Sequence, residues 1–267
     1  MEKYRVKPGT KIKLADFDAS DKSEFSGDKK EALAEVKALT DAMDELQEKL
    51  FAESTRAVLF VLQAMDTGGK DGTIRRVFGH LNPQGCHVAS FKAPTSLELA
   101  HDYLWRISAA LPRKGEIGIF NRSQYEDVLV VRVHNLVPKE VWEKRYDQIN
   151  NFEKMLTDEG TTIVKFYLHI SKDEQKKRLE ARIQDPTKRW KFNPADLKER
   201  ELWDEYEKAY EAVLSKTSTE YAPWYIVPAN RKWYRDWVVA HVAHDTLKAL
   251  DPQYPQPDED FSNIVIE

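Results

Sequence analysis

The hydrophobic positions of this chain form continuous apolar runs that alternate with amphipathic stretches. Residues 57–62 (AVLFVL) are apolar without interruption, which is typical of a strand buried on both faces of a parallel sheet. Before this run, a helix is predicted over 28–51, because Leu39, Met43, Leu46 and Leu50 are spaced as one apolar stripe. The pattern predicts four further strands, at 86–91, 116–120, 162–170 and 224–227.

Helix-start signals separate these strands. The segments 95–98 (TSLE) and 171–174 (SKDE) both match the capping box, and another helix is predicted over 74–80. Alternation of strands and helices predicts an α/β fold with a five-stranded parallel sheet and helices on both faces. We expect a single domain over 1–267, with an N-terminal arm at 1–27 and an irregular, proline-containing tail at 251–267.

Composition narrows the class of protein. A length of 267 residues with 41% hydrophobic residues suits one α/β domain with a sizeable core. The single cysteine, Cys86, excludes an internal disulfide and a cysteine-rich zinc site. No apolar run approaches the roughly 18 residues of a membrane span, so we expect a cytoplasmic protein that binds neither membrane nor nucleic acid. The net charge of -4 still allows anion binding where basic residues cluster.

A glycine-rich loop follows the run at 57–62. Its glycines would let backbone N–H groups turn toward a phosphate, and Lys70 would reach the transferred group. The loop departs from the standard pattern, because Ala64 replaces the first glycine and Asp71 stands where Ser or Thr normally holds magnesium; Asp66 offers a carboxylate oxygen instead. A glycine-rich turn with a solvated lysine is the alternative. The candidate phosphate ligands here are Thr67, Gly68, Gly69, Lys70, Asp71, Gly72 and Thr73.

A second polar segment follows the strand predicted at 116–120. Asn121 and Arg122 would lie at the same sheet edge as the glycine loop, because ligands of parallel sheets bind beyond the carboxyl ends of strands. The planar Arg122 guanidinium suits phosphate oxygens. Glu126 and Asp127 could hold Mg²⁺ together with the loop carboxylate, or they could simply stabilise a helix N-terminus.

A basic segment is predicted to form a lid over 178–203. Arg178 and Arg182 lie four apart on one face of the helix predicted over 171–183, and a basic, aromatic loop follows. A solvated, charged helix face is the alternative. Further cations flank the two motifs and could line a groove that binds a long polyanion. Two cations after the last predicted strand could reach the sheet edge at which the glycine loop lies. The loop cations are Lys188, Arg189 and Lys191; the flanking ones are Arg75, Arg76, Arg113 and Lys114; the last two are Lys232 and Arg235.

Three ordered motifs, at 66–72 (DTGGKDG), 115–127 (GEIGIFNRSQYED) and 182–192 (RIQDPTKRWKF), resemble those of the polyphosphate kinase 2 family, and the resemblance runs from about residue 30 to 250. It implies a P-loop kinase-like three-layer sandwich with a helical lid, similar to thymidylate kinase. Many members have DRSWYNR in the second motif, whereas NRSQYED at 121–127 resembles the class III members, which phosphorylate both AMP and ADP.

The resemblance also implies roles for individual residues. The implied catalytic residues are Asp66, Lys70, Arg122, Asp127 and Arg178; the polyphosphate ligands add Arg75, Arg76, Arg113, Arg182, Lys188 and Arg189 to the glycine loop; the nucleotide ligands are Asn121, Arg122, Glu126 and Arg178; the metal ligands are Asp66, Glu126 and Asp127. The implied ion is Mg²⁺, for which Mn²⁺ could substitute. The implied partners are inorganic polyphosphate, adenine or alternatively guanine nucleotides, and further copies of the chain in a homodimer or homotetramer.

Two other functions remain open from the sequence. An ATP-dependent nucleoside monophosphate kinase of the thymidylate kinase type would share the fold and the lid. Asp66 within the loop, Asp71 in place of Ser or Thr after Lys70, and the additional cations count against it. A non-catalytic module that binds polyphosphate would need the cations alone. The acids Asp66, Glu126 and Asp127 count against this module, because carboxylates without a metal repel a polyanion.

Overall fold

The apolar run after the first long helix forms the central strand of a parallel sheet in the computed structural model, which describes residues 1–257 of the chain. Within these residues the sheet has five strands in the order β2-β3-β1-β4-β5, all parallel. The strands are β1 (Ala57–Gln63), β2 (Cys86–Ser90), β3 (Ile117–Asn121), β4 (Thr161–His169) and β5 (Trp224–Pro228). Each differs from its predicted range by one residue at either end at most, and the predicted α/β fold is confirmed.

Helices cover both faces of the sheet and supply the segments that reach its carboxyl edge. They are α1 (Lys29–Glu53), α2 (Lys70–Thr73), α3 (Ser96–Leu99), α4 (Trp105–Ser108), α5 (Val130–Val133), α6 (Lys139–Trp142), α7 (Arg145–Asp158), α8 (Lys172–Gln184), α9 (Ala195–Glu201), α10 (Trp203–Thr217) and α11 (Lys232–Leu250). The long helices α1 and α11 pack against each other.

The helix starts show how the sequence sets these elements. Asp28 caps α1 reciprocally with Glu31, and Thr95 caps α3 reciprocally with Glu98, as the TSLE segment at 95–98 predicts. Ser171 accepts a hydrogen bond from the Glu174 amide at the start of α8, but the reciprocal bond is absent there, so half of this capping box forms. The helix predicted over 74–80 begins earlier, at Lys70, and continues through a π-helical turn at Ile74–Phe78.

The first 27 residues lie against the domain. Two 3₁₀ turns, Glu2–Tyr4 and Leu14–Asp16, bury Tyr4 and Leu14 in the core. Between them, Arg5 forms an antiparallel bridge with Tyr225, so the arm covers the outer edge of β5. Residues 251–257 contain no regular structure, and the remainder of the predicted irregular tail, 258–267, lies outside the described residues. Among the helices described, none combines the length and the apolar character that a membrane crossing requires.

Candidate functional site

The loop between β1 and α2 is shaped by close backbone contacts. Gly68 must be glycine, because a Cβ there would lie 2.4 Å from the Cβ of Ala64. Gly69 has φ +104°, a left-handed conformation that favours glycine, and its missing Cβ leaves room for the Arg235 guanidinium, 1.8 Å from where that atom would lie. The loop therefore places the start of α2 at the carboxyl end of the central strand, where a phosphate-binding loop is expected.

Helix α8 supplies hydrogen-bond donors to the carbonyl groups of this loop. The Gln175 side-chain amide donates to the Asp66 carbonyl at 3.0 Å. Arg178 donates to the carbonyls of Thr67 and Gly68 at 2.9 and 3.2 Å. Three consecutive carbonyl groups of the loop thus have hydrogen-bond donors on α8, which restricts the conformation of the loop. Arg178 also donates to Ala229 and Asn230 carbonyls, so this buried arginine organises the loop and does not line the cavity.

The main cavity surrounds the loop and has a volume of 640 Å³. Lys70 lines it, is 9% exposed and donates to the Ala64 carbonyl at 3.1 Å. Burial lowers the pKa of Lys70, and the neighbouring Arg122 guanidinium acts in the same direction. Thr67 also lines the cavity, and its buried hydroxyl has no partner among the described residues. A bound anion would offset the charge repulsion and supply a hydrogen-bond acceptor.

The second motif meets the loop as the sheet topology predicts. Asn121, the last residue of β3, pairs in register with Leu62 of β1 and donates to the Asp71 carboxylate at 2.9 Å. Arg122 has φ +65° and points a guanidinium nitrogen at the Asp66 carboxylate at 3.3 Å. Both residues line the main cavity. The glycine loop and the second motif therefore form one site.

The three predicted metal-binding acids do not stay together. Asp66 and Glu126 line a second cavity of 430 Å³, which adjoins the first at Asp66 and Arg122. Burial raises the pKa of Glu126, against the opposing effect of Arg122. Asp127 instead pairs with Arg145 at 2.8 Å and lines neither cavity, and burial raises its pKa to about 6.

The lid segment contributes fewer cations than the sequence suggests. Arg182 and Lys191 line the main cavity, and Lys191 lies 3.5 Å from the Asp71 carboxylate. Lys188 and Arg189 do not line it, because Lys188 pairs with Asp185 and Arg189 donates to the carbonyl of Ile183 near the end of α8. The main cavity therefore receives one basic side chain from α8, Arg182, and one from the segment between α8 and α9, Lys191.

The structure also places several predicted phosphate ligands away from the cavity. Arg75 and Arg76 are exposed on the π-helical turn, and Arg76 lies 3.2 Å from Asp236. Thr73 is buried and donates to the same carboxylate. Arg113 precedes the amino end of β3, at the opposite edge of the sheet, and makes a pair with Glu116 at 2.6 Å. A polyanion on the glycine loop would have to cross the sheet to reach it.

Other cavity residues were not singled out from the sequence. Ser90, Phe91 and Lys92 line the main cavity at the end of β2. Their position was a usable signal, because every parallel strand of this sheet ends at the same edge. The second cavity is lined by aromatic residues of α10, namely Trp203, Tyr206 and Tyr210, which no motif marks.

Comparisons with known proteins agree with this geometry. The family model described as polyphosphate kinase 2 (PPK2) matches residues 26–255. The AMP/ADP-polyphosphate phosphotransferase of Meiothermus ruber is 59% identical over 267 residues, which is 100% of both chains. The ADP-polyphosphate phosphotransferase of Rhodopseudomonas palustris is 46% identical over 96% of this chain and 92% of its own.

A solved structure shows the same fold. The crystal structure of polyphosphate kinase 2 from Arthrobacter aurescens TC1 has a TM-score of 0.94 and 48% identity, covering 98% of this chain and 93% of that chain. The family match extends over most of the sequence and contains both cavities. The chain belongs to the polyphosphate kinase 2 family.

Proposed function

We propose that this protein transfers phosphoryl groups from inorganic polyphosphate to AMP and ADP in a Mg²⁺-dependent reaction, and catalyses the reverse reaction. The observation that carries the proposal is the pair of cavities that adjoin at Asp66 and Arg122, one basic around the glycine loop and one aromatic beneath α10. The names of the Meiothermus ruber and Rhodopseudomonas palustris relatives support this choice of donor and acceptors.

The main cavity suits the donor chain. Lys70, Arg122, Arg182, Lys191 and Lys92 place five cationic side chains along it. A chain of phosphates carries about one negative charge per unit and would be held by repeated ion pairs, which a single nucleotide triphosphate does not need. We therefore assign this cavity to polyphosphate, with the loop N–H groups and Lys70 at the transferred phosphoryl group.

The second cavity suits the acceptor nucleotide. Its aromatic residues Tyr206 and Tyr210 offer a surface for a purine. Arg122 lines both cavities and lies where the acceptor cavity adjoins the donor cavity. Asn121, which stands at the start of the NRSQYED motif, donates to Asp71 and lines the donor cavity next to Arg122. We infer that the protein accepts both AMP and ADP, as the name of the Meiothermus ruber relative states for that protein.

The carboxylates fit Mg²⁺. Within residues 1–257 no group of three or more His, Cys, Asp or Glu side chains is placed to hold a metal. Mg²⁺ is commonly bound by one or two carboxylates together with substrate phosphates, so this donor set matches an ion that arrives with polyphosphate. We propose Asp66 and Glu126 as its protein ligands. When bound, the ion would neutralise charge on the transferred phosphoryl group.

The protein has little covalent chemistry to perform. A phosphate oxygen of the acceptor is already anionic at neutral pH, so it can attack the terminal phosphorus of the donor without a general base. A new P–O–P bridge forms, the bridge to the rest of the polyphosphate breaks, and the electron pair leaves on the shortened chain. Lys70 and Arg122 stabilise the charge on the moving group and align donor and acceptor.

The first test is direct. Purified protein is incubated with AMP, long-chain polyphosphate and Mg²⁺, and the nucleotides are separated by chromatography over time. We expect ADP and then ATP, with no product when EDTA is present. ATP from ADP without any product from AMP would limit the acceptors to ADP. Transfer that requires ATP as donor would overturn the proposal in favour of an ordinary nucleoside monophosphate kinase.

The homodimer or homotetramer and the cytoplasmic location stay predictions. Light scattering after size-exclusion chromatography measures the first, and imaging of a tagged protein in cells measures the second.

A further inference from the structure

The side chain of Gln175 is bonded at both ends of its amide. It lies on α8, is 3% exposed and lines the acceptor cavity but not the donor cavity, and its nitrogen donates to the Asp66 carbonyl of the glycine loop at 3.0 Å. Its oxygen accepts a hydrogen bond from Arg200 of α9 at 2.8 Å. One amide group therefore bridges the glycine loop to the short helix α9, which lies within the segment predicted as the lid.

The orientation of this amide follows from its partners. A carbonyl can only accept and a guanidinium can only donate, so the Gln175 nitrogen must face Asp66 and its oxygen must face Arg200. Rotating the amide by half a turn would place oxygen against oxygen and nitrogen against nitrogen. Arg200 thus fixes the orientation in which Gln175 can hold the loop, and its second bond, to the Lys172 carbonyl at 2.7 Å, fixes Arg200 itself.

The helix that carries Arg200 also faces the acceptor cavity. Its residues Asp196 and Glu199 line that cavity, and Glu199 accepts hydrogen bonds from Tyr206 at 2.6 Å and from His134 at 2.9 Å. The position of α9 therefore depends on the walls of the acceptor cavity. The loop that Gln175 holds carries the Asp66 carboxylate, 3.3 Å from Arg122 at the junction of the two cavities.

We propose that Gln175 is a positioning residue that couples α9 to the glycine loop, with Arg200 as its partner on α9. The proposal rests on the proposed function in that the loop is taken to hold the transferred phosphoryl group. When α9 is in place, the amide binds the Asp66 carbonyl and keeps the glycine loop in the conformation that lines the donor cavity. When the bridge is cut, the loop carbonyl loses its donor and the loop gains conformational freedom.

Four variants test this bridge. Gln175→Met removes both bonds with little change in length, and Gln175→Glu keeps an acceptor for Arg200 but removes the donor to Asp66. Arg200→Met removes the contact from the other side, and it is combined with Gln175→Met in a double variant. Lys198→Met is the matched control, because Lys198 is an exposed cation of the same helix with no hydrogen bond or ion pair among the described residues.

The primary measurement is amide hydrogen exchange followed by mass spectrometry on peptides that cover 57–63 and 64–72. We expect all bridge variants to exchange at least fivefold faster in 64–72, with no change in β1 and none for Lys198→Met. This readout does not depend on the identity of the phosphoryl donor. A wild-type protein without transfer from polyphosphate would refute the proposed function, while the exchange data would still decide whether the bridge exists.

The second measurement is steady-state kinetics with polyphosphate and AMP. We expect kcat to fall about tenfold for both Gln175→Met and Arg200→Met, and the double variant to lose no more than the more impaired single variant. The KM for AMP should stay within about twofold of wild type for Arg200→Met, because Arg200 lines neither cavity. Wild-type exchange in 64–72 would overturn the inference. So would losses in kcat that multiply in the double variant, because independent residues behave in that way, and so would equally faster exchange in 57–63, which indicates general destabilisation.

Discussion

Replacing the buried Lys165 of β4 should destabilise the protein more than removal of any surface ion pair. Lys165 is fully buried and pairs with Glu153 of α7 at 2.5 Å. It also donates to the Tyr125 hydroxyl at 2.8 Å and to the Thr217 carbonyl at 2.7 Å. Glu153 accepts from Tyr125 and Gln124 as well, so one buried network joins β4, α7, α10 and the second motif.

The magnitude follows from the group left behind. Lys165→Met would fill most of the same space but leave the Glu153 carboxylate buried without its cation, which costs about 3–5 kcal/mol. Glu153→Gln together with Lys165→Met removes both charges, and a buried pair replaced in this way is often close to neutral. The double variant should therefore recover most of the stability that the single variant loses.

The assay is thermal unfolding followed by circular dichroism, with refolding checked on cooling. At about 2–4 °C per kcal/mol for a chain of this size, Lys165→Met should lower the Tm by about 6–20 °C. Lys154→Met is the matched control, because Lys154 makes an exposed pair with Asp158 on α7 and should change the Tm by less than about 4 °C. A Tm for Lys165→Met within the range of this control would refute the reasoning.

Three further perturbations test the site and its surroundings. Lys70→Met should lower kcat by about 10²–10³, measured by chromatography of ADP and ATP, and turnover close to wild type would remove Lys70 from the mechanism. Arg113→Ala should leave the KM for polyphosphate within about twofold, because Arg113 lies at the opposite sheet edge; a large rise would show that the chain reaches it. Burial raises the pKa of Asp127 to about 6, so the folded protein binds this proton more tightly than the unfolded chain, and the contribution of Asp127 to stability falls as the pH rises from about 4 to 6. Asp127→Asn should remove that contribution, so that its Tm difference from wild type changes over this interval and is constant above pH 7; a constant difference throughout would contradict the assignment.

The sheet and the glycine loop were predictable because their signals are local. An uninterrupted apolar run such as 57–62 is typical of a strand buried on both faces of a parallel sheet. Parallel pairing then predicts that the site lies at the carboxyl ends of the strands. Asn121 and Arg122 were placed correctly beside the loop by this reasoning alone. The π-helical turn after α2 was not foreseen, because nothing in its sequence separates it from an ordinary helix.

Some predicted site residues do not line the main cavity because their side chains bind partners that are distant in sequence. Asp127 pairs with Arg145, and Arg178 donates to carbonyl groups of the glycine loop, more than a hundred residues earlier in the chain. Helical spacing predicts which face Arg178 shares with Arg182, but not what that face contacts. Of the two cations proposed after β5, Arg235 does reach the loop, where it fills the space beside Gly69.

The N-terminal arm has a consequence for aggregation during folding. An outer strand with unpaired N–H and C=O groups is a template for another chain, and the arm removes this template on one side of the sheet. The Val6 amide donates to the Trp224 carbonyl at 2.8 Å, so the segment that is synthesised first pairs with the strand that is synthesised last. Until that closure, the β5 edge and the apolar side chains beneath the arm are open to misassociation. A chain that lacks residues 1–28 would expose this edge permanently. We expect it to aggregate although its catalytic residues are intact.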